Sequence, residues 1–215
     1  MSEYATSKIT RENLIQAAGE LTAEQGFNNV SIRAIARKAG ENVGSIHYHF
    51  GGKDGLLEEV VRKTFSEWLE LPLKEYIAPY IEQLDTPAGQ ARALRAVMHH
   101  HIVVLFRVKR PSWHSRVIYQ VLQHNNPFRQ LLNEAVIEPN DLVMRMILRK
   151  IKPDMSDEEI FLYSRIIISP IILHANYTET ILELLRLNDY SQSYLQKLED
   201  IIVRQTLLLF NVENE

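Results

Sequence analysis

The sequence predicts an all-α protein, and three observations support that prediction. Apolar residues recur every three or four positions along most of the 215-residue chain, which is the spacing of one face of a helix. Helix start signals are frequent, for example Thr86-Pro87 and the acidic run SDEE at 156–159. No stretch shows the alternation of apolar and polar residues that is typical of a strand.

The first predicted elements lie close together in the chain. Residues 1–9 are expected to form a short arm, with Thr10 as the N-cap of a helix that ends at Gly26. Ser31 is the expected N-cap of a second helix, because it precedes an amphipathic run that Gly40 ends. A third helix follows over about 43–50. These three helices are expected to form a compact N-terminal bundle.

The later helices are expected over about 53–70, 87–109, 113–124, 128–151, 157–187 and 191–210. The stretches between them contain proline, glycine or asparagine, which favour turns. Pro139 and Pro170 lie inside two of the predicted helices, so we expect a kink at each, because proline cannot donate the backbone hydrogen bond of a helix. The predicted organisation is an N-terminal domain over 1–55 and a larger helical domain over 56–215.

Composition excludes several classes of protein. The net charge of −3 is not that of a protein that coats nucleic acid without specificity, so any DNA contact has to rest on a local patch. The absence of cysteine excludes disulfides, thiolate metal sites and cysteine nucleophiles. Neither a signal sequence nor an apolar run of about 18 residues is present, so we expect a cytoplasmic protein without a membrane partner, associated with the nucleoid when bound to DNA.

The stretch SIRAIARKAGENVGSIHYHF at 31–50 carries the main functional signal. Two short helices joined at Gly40 are typical of a helix-turn-helix, whose second helix lies in the major groove of DNA. The residues expected to face inward are Ile35, Ala36, Ala39, Val43 and Ile46. The exposed face of the second helix would then carry polar groups that can reach bases and phosphates. The alternative is a small helical hairpin with surface histidines.

Three segments resemble the DNA-binding domain of the tetracycline-repressor (TetR) family. They are LIQAAGELTAEQGF (14–27), SIRAIARKAG (31–40) and SIHYHFGGKDGLL (45–57). Glu41 stands where such sequences usually carry a small apolar residue, and His47 stands where a tyrosine is frequent. The resemblance implies a dimeric bacterial transcriptional regulator, in most cases a repressor, that binds a palindromic operator in double-stranded DNA and leaves it when a small ligand binds.

The candidate DNA-binding residues combine this resemblance with the predicted exposed face. They are Ser31, Arg33, Asn42, Val43, Gly44, Ser45, His47, Tyr48, His49 and Lys53. Lys53 opens the fourth predicted helix, where its ammonium and the backbone N–H groups of the helix start could meet one phosphate. The alternative for Lys53 is an ordinary exposed lysine.

The C-terminal half is similar to the CerR/YbiH-like branch of the same family. The matching segments are HNNPFRQLLNEAVIEPN (124–140), IIISPIILHANYTETILELL (166–185) and YSQSYLQKLEDIIVRQTLLLF (190–210). This resemblance implies a homodimer built on the last two helices and an effector cavity between the middle helices. Apolar stripes over 166–181 and 195–209 also favour a four-helix interface between two copies. The alternative is that both stripes are buried within one monomer.

An effector pocket needs apolar walls and a few polar anchors. The candidate pocket residues are His101, Phe106, Trp113, Tyr119, His124, Tyr163, Arg165, His174 and Tyr177. Each of them alone could equally be an ordinary core or surface residue. Arg165 lies in an apolar helix, so it is expected either to pair with an acid or to await an anionic ligand.

No catalytic or metal-binding pattern is present. The sequence lacks the Gly-x-Ser-x-Gly, phosphate-loop and metal-ligand spacings, so we expect neither an enzyme nor a cofactor. Three consecutive histidines, 99–101, would be splayed about 100° apart on a helix and could not meet at one metal ion. The alternative function is a helical small-ligand-binding or scaffold protein without sequence-specific DNA binding.

Overall fold

A computed structural model describes residues 3–107, 111, 113–123 and 126–212. The described residues form α-helices joined by short turns and contain no strand, which confirms the all-α prediction. The helices are α1 (Glu3–Gln25), α2 (Ile32–Ala39), α3 (Val43–Phe50), α4 (Lys53–Thr64), α5 (Ser66–Glu70), α6 (Leu73–Ile81), α7 (Pro87–Ile102), α8 (Trp113–Gln123), α9 (Arg129–Leu132), α10 (Glu138–Ile151), α11 (Asp157–Asn176), α12 (Thr178–Leu185) and α13 (Gln192–Phe210).

The chain divides into two compact units. One comprises Met1–Ser66 and Arg110–Leu132, and the other comprises Glu67–Lys109 and Asn133–Glu215. We call them the N-terminal unit and the C-terminal unit. The sequence places the domain boundary after residue 55, whereas the contacts group 56–66 and the segment around α8 with the first three helices.

Contacts between α8 and α1 explain this grouping. The indole N–H of Trp113 donates to Gln16 Oε1 at 3.0 Å, and the Gln120 side chain donates to the carbonyl oxygens of Thr22 and Ala23, each at 3.2 Å. These residues are about 100 positions apart in the chain. Spacing within the sequence therefore carries no signal for their contact.

Two sequence predictions about helix ends are wrong. The first helix begins at Glu3 and not after Thr10, because residues 3–9 contain neither glycine nor proline to stop it. The fourth helix ends at Thr64 and does not reach residue 70. The hydroxyl of Thr64 donates to the carbonyl oxygen of Val61 at 2.6 Å, and the next residue, Phe65, is fully buried. Packing of that ring favours a break between α4 and α5 over one continuous helix.

The prolines inside the predicted helices behave differently from each other. A π-helical turn, Asn133–Ile137, directly precedes α10 and Pro139. A wider turn accommodates a proline, which offers no N–H to the preceding turn. By contrast, α11 continues through Pro170, and a bend of 78° lies between α11 and α12, at Tyr177.

Local hydrogen bonds explain the position of that bend. The Thr178 hydroxyl donates to the carbonyl oxygens of His174 and Ala175, and the Tyr190 hydroxyl also donates to His174 O, at 3.1 Å. Side chains that bond to helix carbonyls compete with the backbone ladder. Within the described residues no single helix is long and apolar enough to cross a membrane, and α11 and α12 meet that description only as a bent pair.

The core of the C-terminal unit forms where α7, α10, α11 and α13 meet. Leu94, Met98, Ile147, Ile171 and Ile202 are representative of its buried side chains. Their burial supplies most of the stabilisation of such a unit, at about 1.5–3 kcal/mol for each large side chain.

The three consecutive histidines of α7 point in different directions. His99 donates to Glu199 Oε2 at 2.7 Å, His100 Nε2 donates to Leu71 O at 2.6 Å, and His101 Nδ1 donates to Val97 O at 2.8 Å. His101 packs edge-on against Trp68, with the ring centres 5.0 Å apart. Complete burial lowers the pKa of His101 from its usual 6.5 to about 4, because a charged imidazolium is poorly solvated there.

The depressed pKa of His101 makes stability depend on pH. Above about pH 6.5 the ring is neutral in both the folded and the unfolded chain, so its contribution to stability is fully present. As the pH falls from about 6.5 to about 4, the unfolded chain takes up a proton that the folded chain excludes, and we expect a loss of up to about 3 kcal/mol. Urea unfolding of the wild type and of His101→Phe across this pH range measures this loss. If the free energy of unfolding depends on pH equally in the two proteins, His101 is not the source of the loss.

Gly55 lies where the start of α4 passes the end of α3. A Cβ at this position would stand 2.0 Å from the carbonyl oxygen of Phe50. Alanine normally stabilises a helix by about 1 kcal/mol relative to glycine. Here we expect Gly55→Ala to lower the free energy of unfolding by about 1–3 kcal/mol, because the backbone has to move. Urea denaturation measures the change, with the exposed Ser193→Ala as the control, and a gain in stability would refute the close approach.

Candidate nucleic-acid interface

The turn between α2 and α3 is closed by hydrogen bonds at both helix ends. Gly40 adopts a left-handed conformation with φ of 71°, and the N–H of Glu41 donates to Ala36 O at 2.9 Å. Asn42 Oδ1 accepts the N–H of Ser45 at 2.9 Å and so caps α3. These are the capping patterns expected at a glycine C-terminus and an asparagine N-terminus. The predicted helix-turn-helix is therefore present.

The inner faces of α2 and α3 pack against the rest of the N-terminal unit. Ile35, Ala36 and Ile46 are buried, as the sequence predicts. Ala39 and Val43 are half-buried, since they lie at the turn, where the two helices diverge. Because Ile46 has to stay buried, the rotation of α3 about its own axis is fixed.

The outer face of α3 is open to solvent. Tyr48 is 82% exposed, His47 and Gly44 are exposed, and Ser45 and His49 are half-buried. The rings of Tyr48 and His49 meet edge to face, with their centres 5.0 Å apart. A short helix with planar and hydroxyl groups on its open side has the shape and the hydrogen-bonding groups of a helix that enters a major groove.

Two of the candidate DNA-binding residues already have a structural role. The Ser31 hydroxyl accepts the N–H of Ala34 at 3.2 Å, and Asn42 caps α3 in the same way. Both side chains, and that of Arg33, are exposed. The oxygens of Ser31 and Asn42 therefore position α2 and α3, whether or not the same side chains also touch DNA.

Lys53 is the first residue of α4, as the sequence predicts. The N-cap residue is Gly52, and no side chain caps this helix end. The backbone N–H groups of the first turn therefore remain available beside the half-buried lysine. An uncapped helix start next to an ammonium group attracts anions such as phosphate.

An unpredicted arginine braces these helices. The Arg11 guanidinium forms an ion pair with Glu59 and lies 5.4 Å from the centre of the Phe50 ring. It thus links α1 to α4 and to the end of α3. Sequence reasoning missed this contact because 48 positions separate Arg11 from Glu59, and no local spacing signals such a pair.

A second ion pair joins α1 to α2. Lys38 Nζ lies 2.9 Å from Glu20 Oε2. The hydrogen bond with Lys38 lowers the pKa of Glu20, and the same bond raises the pKa of Lys38. Because both groups are well exposed, the pair contributes at most about 1 kcal/mol.

The candidate effector residues do not come together as one set. Trp113 and Tyr119 belong to the N-terminal unit, where Trp113 is bound to α1 and Tyr119 is exposed. His124 lies outside the described residues. The remaining candidates belong to the C-terminal unit, where Tyr163 packs against Phe210, with the ring centres 5.2 Å apart.

An aromatic cluster gathers two of the candidates in the C-terminal unit. The Phe106 ring meets Tyr190 edge to face at 5.5 Å, and Tyr190 stacks on Tyr194 at 5.1 Å. His174 completes the cluster, since its Nε2 lies 3.1 Å from the Tyr194 hydroxyl. Tyr190 and Tyr194 were not predicted, although aromatic residues four positions apart near a helix start signal a shared face.

Arg165 has an acidic partner. Its guanidinium forms an ion pair with Asp141 and lies 5.1 Å from the centre of the Phe161 ring. Its Nε–H is buried and donates to no partner within the described part of the chain. Burial lowers the pKa of Arg165. Of the two sequence alternatives, pairing with an acid is therefore realised, and one donor nitrogen remains unused.

The last helices of the C-terminal unit carry exposed apolar side chains. Leu208 is 71% exposed and Ile166 is 60% exposed, whereas Ile167 and Ile202 are buried in the core. No residue of α12 is buried, although this helix contains isoleucine and leucines. The predicted stripes are thus divided between the core of the unit and an open surface.

Among the described residues, no group of three or more potential ligands lies close enough to hold a metal ion. The chemistry that these residues offer is that of binding surfaces: an open face on α3 with planar and hydroxyl groups, and apolar surfaces on α11, α12 and α13.

Comparison with known proteins identifies the N-terminal unit. Residues 14–60 match the family model of bacterial regulatory proteins of the tetR family. The transcriptional regulator BetI of Stenotrophomonas maltophilia is 35% identical over 95 residues, which cover 44% of this chain and 46% of that protein. The transcriptional repressor KstR2 of Mycobacterium tuberculosis is 26% identical over 151 residues, which cover 64% of this chain and 75% of KstR2.

The similarity in fold covers more of the chain than the sequence match does. The crystal structure of HlyIIR, a hemolysin II transcriptional regulator, superposes with a TM-score of 0.57 at 19% identity, covering 91% of this chain and 97% of HlyIIR. The match to BetI spans about half of that relative, and no finding bears on the CerR/YbiH-like branch, which stays a prediction. The N-terminal unit therefore carries the sequence of the tetR-family regulatory region, and the fold of the chain is similar to that of HlyIIR.

Proposed function

We propose that this protein is a dimeric transcriptional repressor that binds a palindromic operator and leaves it when a small molecule binds its C-terminal unit. One observation carries the proposal. The α3 helix is capped at Asn42, anchored by the buried Ile46, and presents His47 and Tyr48 to solvent. An isolated surface hairpin needs neither this double capping nor an open face of base-reading groups.

The exposed apolar surface supports the dimeric state. Ile166, Leu173 and Leu208 lie on the open sides of α11 and α13, and α12 has no buried residue of its own. Isolated exposed leucines need no explanation, but a surface that continues over consecutive helices favours association. Two copies would bury it in a four-helix interface and present two α3 helices to one palindrome.

Release by an effector requires two conformers. Successive major grooves on one face of DNA are about 34 Å apart, so two α3 helices at another separation cannot both bind. The effector has to bind the second conformer more tightly than the first, since otherwise no population shifts. The break at Phe65 lies next to the point where the chain passes from the N-terminal unit to the C-terminal unit. We propose that α4 transmits the change.

The first test is selection of bound duplexes from a random pool. We expect a palindromic consensus for the wild type. We expect Ser45→Ala or His47→Ala to relax the preference at individual base pairs, by about 1–3 kcal/mol where a good base contact is lost. A uniform loss over all base variants would argue against base reading by that residue, and no duplex enrichment would favour the ligand-binding or scaffold alternative.

Lys53→Ala tests the phosphate contact. We expect weaker binding to every duplex and a salt dependence reduced by about one unit in the slope of log K against log salt, because one counterion fewer is released. Fluorescence anisotropy at several salt concentrations measures the slope. Lys74→Ala, an exposed lysine of α6, is the matched control. A slope unchanged by Lys53→Ala removes this lysine from the interface.

Leu208→Glu tests the dimer interface. We expect the dissociation constant of the dimer to rise about ten-fold or more, because a carboxylate would be buried at an apolar contact. Sedimentation equilibrium measures the constant. Leu142→Glu is the matched control, since Leu142 is 65% exposed on α10, outside the proposed surface. Equal effects of the two substitutions would show that the interface lies elsewhere.

A further inference from the structure

The N-terminal unit contains a cavity of about 680 Å³ next to the start of α4. Its walls come from the end of α1 and the following turn, the first turns of α4, and the segment after α8. The volume falls in the range of small-molecule sites, about 300–1,000 Å³. All of its lining residues belong to the N-terminal unit, so this cavity is separate from the proposed effector region of the C-terminal unit.

Two aromatic rings form the apolar wall of the cavity. Phe27 and Phe128 approach each other with ring centres 5.6 Å apart, and Leu57 extends the same wall. Both rings are only half-buried, although they are large apolar groups. The faces of aromatic rings carry partial negative charge and attract cations.

The charged side chains around the cavity favour a positive ligand. Glu24 and Asp54 contribute two carboxylates, and Lys53 contributes one ammonium, so acidic groups are in excess. An anion could pair with Lys53 at the start of α4, but inside the cavity it would also face both carboxylates. A cation would instead gain from the carboxylates and from the rings of Phe27 and Phe128.

A buried acceptor in the wall specifies the ligand further. The Gln120 side-chain nitrogen donates to Thr22 O and Ala23 O, which fixes the orientation of the amide. The opposite atom, Gln120 Oε1, would lie 4.0 Å from a Cβ built on Gly26, which also lines the cavity. This oxygen is buried and accepts no hydrogen bond from the described residues. A buried acceptor without a partner costs free energy that a ligand N–H would recover.

From these features we infer that the cavity binds a small protonated amine with an apolar body. The N–H groups of the amine face Gln120 and the carboxylates, and the apolar body lies against Phe27 and Phe128. The inference does not depend on the proposed DNA binding, because the ligand can be titrated into the protein without DNA.

Calorimetric titration of the full chain with matched probes tests the charge and the donor. The probes are 2-phenylethylammonium, its N-trimethyl analogue without N–H groups, neutral 2-phenylethanol and the anion phenylacetate. We expect the primary ammonium to bind most tightly and the anion most weakly. If the neutral alcohol or the anion binds as tightly as the ammonium, the inference is overturned.

Two substitutions test the place of binding. We expect Phe128→Leu, which keeps apolar volume but removes a ring, to weaken 2-phenylethylammonium binding about two- to five-fold. We expect Glu24→Gln, which removes charge at nearly constant shape, to weaken it by up to about five-fold. Glu82→Gln, on an exposed position after α6, is the control and should leave the affinity unchanged. Binding that neither Phe128→Leu nor Glu24→Gln weakens lies outside this cavity and overturns the inference.

Discussion

The left-handed conformation of Gly40 determines how the recognition helix leaves its supporting helix. At this residue α2 ends, the N–H of Glu41 turns back to Ala36, and Asn42 caps the next helix two residues later. An L-residue with a side chain would pay about 1–2 kcal/mol for the same backbone. The direction of α3, and hence the set of side chains that it presents, depends on this turn. The burial of Ile46 then fixes the rotation of α3 about its own axis.

The charged side chains of the N-terminal unit hold its helices together more than they attract DNA. Residues 1–53 contain six lysines and arginines and five glutamates. Two of the basic residues, Arg11 and Lys38, already pair with carboxylates of the same unit. A unit of this composition attracts DNA weakly at a distance, because long-range attraction scales with the excess charge. In the proposed dimer, the geometry and pairing of two α3 helices would therefore have to supply most of the specificity.

Local features of the fold could be read from the sequence, and distant contacts could not. The cap at Ser31 follows from a residue type adjacent to a helix-forming run, and the structure confirms it. Asn42 and Ser191, which were not predicted as caps, cap their helices in the same way. The bend at Tyr177 escaped prediction, because it depends on a hydroxyl from Tyr190, thirteen positions away. The sequence instead favoured Pro170, where the surrounding helix tolerates proline.

The candidate sites show the same division. The exposed face of α3 was predictable because helical periodicity separates its buried and open sides. The pocket residues were chosen by chemical type alone, and type does not say which unit a residue joins. Trp113, for example, is bound to Gln16 of α1. The sequence leaves two alternatives open for Arg165, and the fold decides between them by bringing Asp141 to its guanidinium.

The packing of Trp113 on α1 also constrains how this protein can vary. A Cβ at Gly19 would stand 2.6 Å from atoms of the indole ring, so the ring occupies the space that any other residue at 19 would need. A larger residue at 19 is compatible with the fold only together with a smaller one at 113. In related chains these two positions should change together, although 94 positions separate them, and one can serve as the suppressor of a mutation at the other.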